Sequence, residues 1–360
     1  MYDITNCRHG YALYSMTNAS DFNEVIAIRQ RFNDDFTFIK AYKTGGQGTG
    51  NPIVDPLGSQ GSIVLSHDGR FLFVVNAGSN SISSFKITSS GALILADEKP
   101  SGGFLPISLT THRNLLYVAN AGNGSSIASN VTGFHIDENG MLTEIIGSTK
   151  SLSSGNAKPT CIVINYNGKR IAVSEQNTNL ISLFTVQPDG TLTDPILSNS
   201  SGPGPFGSVF LTNEILLVTE VGINALSSYK VNPDGTLSVI SPSVLNFQSA
   251  TCWVSLSENG RFAYTSNAGS HTITTYEVEK NGRLRVSNVV YSTKNGSGAP
   301  IDSGVCSNTF YVLNGNEGSI SVLRTDRDGR LIRTQVIRDT HLPELGSQGM
   351  AILCLPNKFK

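Results

Sequence analysis

The chain has 360 residues, 39% of them apolar and 15% charged, with a formal net charge of −1. The apolar share suffices for a core. The charged share is below the ~25% usual in soluble proteins, and Gly, Ser, Thr and Asn fill the gap with residues that suit tight turns and polar strand faces. A near-neutral chain with no basic run excludes nucleic acid and anionic membrane surfaces as partners, and no apolar stretch approaches the ~18 residues of a membrane span.

The start, MYDITNCRHGYALYSMTN, lacks the apolar run of a secretory leader. A soluble cytoplasmic protein and a secreted mature form both stay open. The cysteines are Cys7, Cys161, Cys252, Cys306 and Cys354. Their odd number and spacing fit neither a zinc site nor a disulfide framework, so they are expected as free thiols, four of them in apolar strand contexts. Asn-x-Ser/Thr sites at Asn18, Asn123, Asn130, Asn199 and Asn295 permit secretion without establishing it.

From the N-terminus onward the elements repeat. YALYSMTNASDFNEVIAIRQ (11–30), RFLFVVNAGSNSISSFKI (70–87) and LLYVANAGNGSSIASNVTGFHI (115–136) each give an apolar strand, a terminal Asn, a Gly/Ser-rich turn and an alternating strand. RIAVSEQNTNLISLFTV (170–186) and ILLVTEVGINALSSYKV (215–231) keep the frame with Glu in place of Asn. RFAYTSNAGSHTITTYEV (261–278) and FYVLNGNEGSISVLRT (310–325) restore the Asn. A hairpin turn such as TSSGAL, DENGML, QPDGTL or NPDGTL follows each second member, and its Gly supplies the positive φ of a short hairpin. A further strand precedes each first member: SIVLS, ISLTT, CIVIN, GSVFL, CWVSL, DSGVC or MAILC.

Four strands over ~45–50 residues, in period-2 alternation, describe one blade of a β-propeller. Seven copies predict an all-β, seven-bladed propeller with four antiparallel strands per blade, a single domain over 1–360. The N-terminus supplies strands two to four of a blade, and the C-terminus only a first strand, QGMAILCLP (348–356). That last strand is expected to join the N-terminal blade and close the ring, which leaves no open sheet edge.

The innermost strands line the axis, so the segments leading into them offer the candidate ligand groups. These segments are GSQG (58–61), LPIS (105–108), KPTC (158–161), GPFG (204–207), ATCW (250–253), APID (299–302) and GSQG (346–349). They present Gln60, Lys158, Cys161, Phe206, Cys252, Trp253, Asp302 and Gln348. The same residue types can equally plug a narrow channel. The ends of the second strands give a further ring: Asn18, Asn76, Asn120, Glu175, Glu220, Asn267 and Asn314. Asn suits a local turn through its own backbone, which the longer Glu side chain does not mimic. Two acids on consecutive blades, at one side of the channel mouth, are therefore candidates for acid–base catalysis. No cofactor is required, although Asp302 with the two glutamates has the hard oxygen ligands of a calcium-like cation. The six histidines fall in turns, a terminal segment or an outer strand. TGGQGTGN (44–51) follows an outer strand with no helix after it and is a poor dinucleotide loop.

With its blades in place the chain resembles the lactonase-type seven-bladed propellers, a family that includes one type of 6-phosphogluconolactonase and carboxymuconate-lactonizing enzymes, often called 3-carboxymuconate cyclases. FVVNAGSNSISSFK, PDGTL, DPLGSQGSIVLSHDGR and ATCWVSLSENGRFAYTSN carry the resemblance over almost the whole chain. It implies a Gly-x-Gly-Pro-Arg-His segment at the catalytic blade, followed by Asn-Glu at the end of the second strand. Here Phe206 and Gly207 stand where Arg and His would, Thr219 replaces the Asn, and Glu220 keeps the acid; a further family Arg is replaced by Ile301. Without those cations a phosphorylated lactone is a poor fit.

The reading is a hydrolase or cyclase-like lactonase, forming or opening a small lactone at the central channel mouth. Glu220 and Glu175 serve as acid and base. Gln60, Lys158, Phe206, Trp253, Asn267, Asp302, Asn314 and Gln348 bind a small, neutral or apolar-faced ligand, and the protein acts as a monomer. The alternative is a catalytically silent propeller that binds a small molecule or a protein on the same face. A glycosidase built on the paired carboxylates is a third.

Overall fold

A computed structural model describes residues 10–30, 35–124 and 126–355. Cys7, His9 and part of the first hairpin turn lie outside the described residues. Seven antiparallel sheets follow one another around an axis. Blade 1 combines the C-terminal strand Gln348–Leu355 with Gly10–Met16, Glu24–Gln30 and Phe36–Lys43. Tyr11 to Tyr14 pair with Cys354 to Ala351 in register, so the two ends of the chain share one sheet as the repeat phase predicted.

The innermost strands of blades 2 to 7 are Ile63–Leu65, Pro106–His112, Pro159–Ile164, Pro205–Phe210, Thr251–Leu256 and Pro300–Cys306. In blade 3 the outer position is shared by Leu142–Glu144 and Lys150–Ser151, both pairing with Asn130–Ile136. The second strands are the most closed elements; Phe71–Asn76, for instance, is buried at every position. Apolar side chains there pack between adjacent sheets. The outermost strands alternate between half-buried and exposed positions, as a sheet edge facing water should. The Asp-Gly turns form as expected: Gly190 and Gly235 adopt φ of 84° and 92°, where a Cβ would be strained.

One regularity was not visible in the repeat. Blades 1 and 3 to 7 carry a register shift at the start of the innermost strand, for example between Pro159 and Cys161 and between Pro300 and Ser303. Such a bulge adds a residue to one strand and re-aims the side chains beside it. It sets the orientation of Phe206, Cys252 and Asp302.

The cysteine expectation needs correction. Cys306 and Cys354 form a disulfide across neighbouring innermost strands, with Cα atoms 6.2 Å apart. Ring closure brings together two positions 48 residues apart, which spacing alone could not reveal. Cys161 and Cys252 are free and buried.

Candidate active site on the channel axis

The loop from blade 1 to blade 2 descends onto the axis, and its last turn ties the ring together. Ser59 Oγ donates to Ile107 O of blade 3 at 2.8 Å. Ser59 O accepts from Trp253 Nε1 of blade 6 at 2.9 Å and Gln348 Nε2 of blade 1 at 3.0 Å. Gln60 N donates to Thr160 O of blade 4, and Gln60 O accepts from Ser108 Oγ. The Gln60 amide crosses to Ser208 O of blade 5 at 3.0 Å and accepts from Val254 N of blade 6 at 2.9 Å. Gly61 N donates to Asp302 Oδ2 of blade 7 at 3.1 Å. Three consecutive residues thus reach every other blade. Gly207 makes this possible: a Cβ there would run into Gln60 Oε1 and Cys252 O. The position where the resemblance implies a His is therefore taken by the Gln60 amide. Phe206 and Trp253, edge to face at 5.4 Å, close the same level.

Two carboxyl groups meet this turn. Burial pushes Asp302 up to about 7, against the amides of Gly61 and Ser303 that favour its charge, and the charge of Asp55 adds to the rise. Burial likewise raises Asp55 to about 7, opposed by the Gln348 side chain, the Ser59 and Gly58 amides and the charge of Lys158. Gly58 N donates to Asp55 Oδ1 at 3.1 Å. Lys158 is exposed and sits in a left-handed conformation, φ 53°, and its positive charge opposes the rise at Asp55. Asp55 went unweighed in the sequence because it lies within a loop. Its signal is an acid beside Pro in the connection from Lys43 to Ile63, which is far longer than the other interblade connections.

Glu175 and Glu220 are fully buried inside their own blades. Glu175 accepts from Ser153 and Ser182 hydroxyls and from Thr178 Oγ1 at 2.9 Å. Glu220 Oε1 accepts from Ser227 Oγ at 2.7 Å, Gly202 N at 2.8 Å and Tyr229 OH at 3.2 Å, and Oε2 from Ser243 Oγ at 2.6 Å. The two shells share no residue. Their geometry matches that of three of the five Asn blades: Asn76, Asn267 and Asn314 donate to Ser83, Thr274 and Ser321, each seven residues on, where Glu175 and Glu220 accept from Ser182 and Ser227. A hydroxyl rotates to serve either polarity, so Glu can replace Asn in this latch.

The other candidates divide. Gln60, Gln348, Phe206, Trp253 and Asp302 meet on the axis, and Lys158 stands at its rim. The amide nitrogens of Asn267 and Asn314 are spent within blades 6 and 7. The cysteines lack thiolate character, since burial pushes Cys161 up to about 12 and Cys252 well above its usual range. Among the described residues no group of three His, Cys, Asp or Glu is placed to hold a metal, so Asp302 and the two glutamates do not form the cation site considered above. No helix is long and apolar enough to cross a membrane.

Among solved structures, a Pseudomonas aeruginosa periplasmic gluconolactonase aligns at 17% identity with a TM-score of 0.76, over 96% of this chain and 100% of that one. A protein of Bacteroides fragilis described as a candidate 6-phosphogluconolactonase aligns at 17% and 0.75, over 98% and 100%. A Lactobacillus plantarum protein aligns at 17% and 0.74, over 96% and 99%. At such identities these likenesses speak for the fold. No curated protein sequence matches the chain. The sequence model of the family described as "Lactonase, 7-bladed beta-propeller" matches residues 13–148 and 106–210, together more than half of the chain. This protein belongs to the lactonase family of seven-bladed β-propellers.

Proposed function

We propose that the protein hydrolyses a small, uncharged lactone on the channel axis, with Asp302 as the acid–base group. The observation that supports this is a carboxyl on the axis of a lactonase-family ring, raised to about 7 and held by backbone amides instead of a cation. A general base works best when its pKa lies near the working pH. Asp302 would take a proton from water as its oxygen adds to the lactone carbonyl carbon. It would return that proton to the ring oxygen as the acyl C–O bond breaks, leaving a hydroxy acid. The second Nε2 hydrogen of Gln60 is a donor for the carbonyl oxygen. Asp55 keeps the Asp302 proton exchangeable near neutrality, because two neighbouring carboxylates resist ionising together.

Within this proposal Glu175 and Glu220 are latches, and the acid–base role expected of them passes to Asp302. The hydroxyl shells and the equivalence with Asn76 support that assignment. Phosphorylated lactones are disfavoured by the near absence of cations. The test is a screen of γ- and δ-lactones by pH-stat, with wild type and Asp302→Asn compared. Turnover that survives Asp302→Asn would remove the assignment.

A further inference from the structure

Exposure along the axis runs opposite to what a site facing the interblade loops would need. Residues two apart on a strand share a face. The axis-facing set is identified by its contacts with the central turn: Trp253 and Asp302 bond to Ser59 and Gly61, and Gly207 gives way to Gln60. At that level the channel is closed, with Ser59 and Gln348 at 0%, Trp253 at 2% and Asp302 at 4% exposure. Further along the innermost strands the pattern reverses: Val64, Val163, Val209, Ser255, Gly304 and Ile352 are half-buried, while Thr110 of blade 3 stays buried. Gln60 and Gly61, beyond the sealed Ser59, are half-buried as well. A Cβ on Gly304 would run into Ile352 Cδ1, so the Ile352 side chain packs directly against this glycine.

We propose that the ligand enters the channel from the face of the first-to-second-strand turns, opposite the interblade loops, and is an uncharged lactone bearing a compact apolar substituent. The proposal rests on the lactonase reading above and adds the approach and the substrate class. The wall is aliphatic at four of these six positions, carries one hydroxyl and no charge. The closed end presents the polar atoms of the Gln60 amide, Gly61 and Asp302 beside the rings of Phe206 and Trp253. An apolar substituent fits the wall while the ester group meets the closed end, whereas an anion would face Asp302 with no cation beside it.

Two measurements test this. In a Cys7→Ser background, Ser255→Cys is treated with N-ethylmaleimide in the folded state and followed by intact mass, with the buried Cys161 and Cys252 as internal controls. One adduct, at position 255, is expected. An unreactive Cys at 255 in a folded protein overturns the approach whether or not the protein hydrolyses lactones. In parallel, Val209→Phe is expected to lower kcat/KM for alkyl-substituted lactones by about tenfold or more, while Ile53→Trp, exposed on the loop face, leaves it within about twofold. The reverse pattern overturns the approach and leaves the lactonase reading standing. Absence of lactone turnover in wild type removes the lactonase reading and with it the substrate class, and the labelling result still decides the approach.

Discussion

Replacing Asp302 by Asn removes a buried ionisable group while keeping its shape. Oδ1 of Asp302 accepts from Ser303 N and Oδ2 from Gly61 N, both backbone donors. The amide turns one acceptor into a donor facing an N–H, a cost of about 1 kcal/mol that is nearly independent of pH. The ionisation effect depends on pH. The folded pKa is raised from 3.8 to about 7, so the folded state keeps a proton that the unfolded chain has released. The stability this contributes is fully present below 3.8 and is lost as pH rises through about 7. The loss is roughly 1.4 kcal/mol per pH unit, so wild type should lose about 3 kcal/mol between about pH 5 and pH 8 that Asp302→Asn does not lose. That figure is an upper bound, because Asp55 and Asp302 interact and titrate as a pair. Urea unfolding of both proteins at the two pH values measures the difference, and titrating groups other than Asp55 cancel in the comparison. A variant-to-wild-type difference that stays constant within about 0.5 kcal/mol from pH 5 to pH 8 would refute the reasoning, since it would mean that Asp302 ionises as freely folded as unfolded.

Three further outcomes can be checked. Glu220→Gln should cost about 1 kcal/mol and spare turnover, because Ser227 and Ser243 can reorient, whereas Glu220→Ala should cost about 1–3 kcal/mol by stranding Gly202 N; abolished turnover in a normally stable Glu220→Gln would return the acid–base role to Glu220. Cys354→Ser, or reduction of wild type, should lower stability by up to about 4 kcal/mol for a 48-residue separation, read from urea midpoints with and without reductant. Gly207→Ala should cost about 1–3 kcal/mol through overpacking against Gln60, Cys252 and Trp253, and Gln60→Ala in the same chain should recover part of that loss by thermal melting.

The blades were legible because each is a local object. Alternation in RFLFVVN and ISSFKI, with a turn glycine between the later strands, specifies strands whose partners lie within about fifty residues, and such hairpins are set by local chemistry. The ring closure was legible too, from the phase of QGMAILCLP. The site was only partly so. Gln60, Gln348, Phe206, Trp253 and Asp302 were nominated by position before an innermost strand, and they do converge. Glu175 and Glu220 drew attention as departures from a repeated Asn. The departure proved compatible with the same latch because the seven-on residue is a hydroxyl in every case compared, a correlation visible in the sequence but given meaning only by the pairing of strands.

Composition, alternation and repeat phase therefore determine this protein's architecture by themselves, since they act through neighbours in the chain. The tertiary structure alone decides what the axis contains. Cys306 meets Cys354 only when the ring closes, and Gly207 matters only because Gln60 arrives there from the far side. Asp302 becomes an unusual acid only when the turn at Ser59–Gly61 and the carboxyl of Asp55 exclude water and add charge beside it. Those contacts join residues from about fifty to more than two hundred positions apart, and a local pattern carries no information about them.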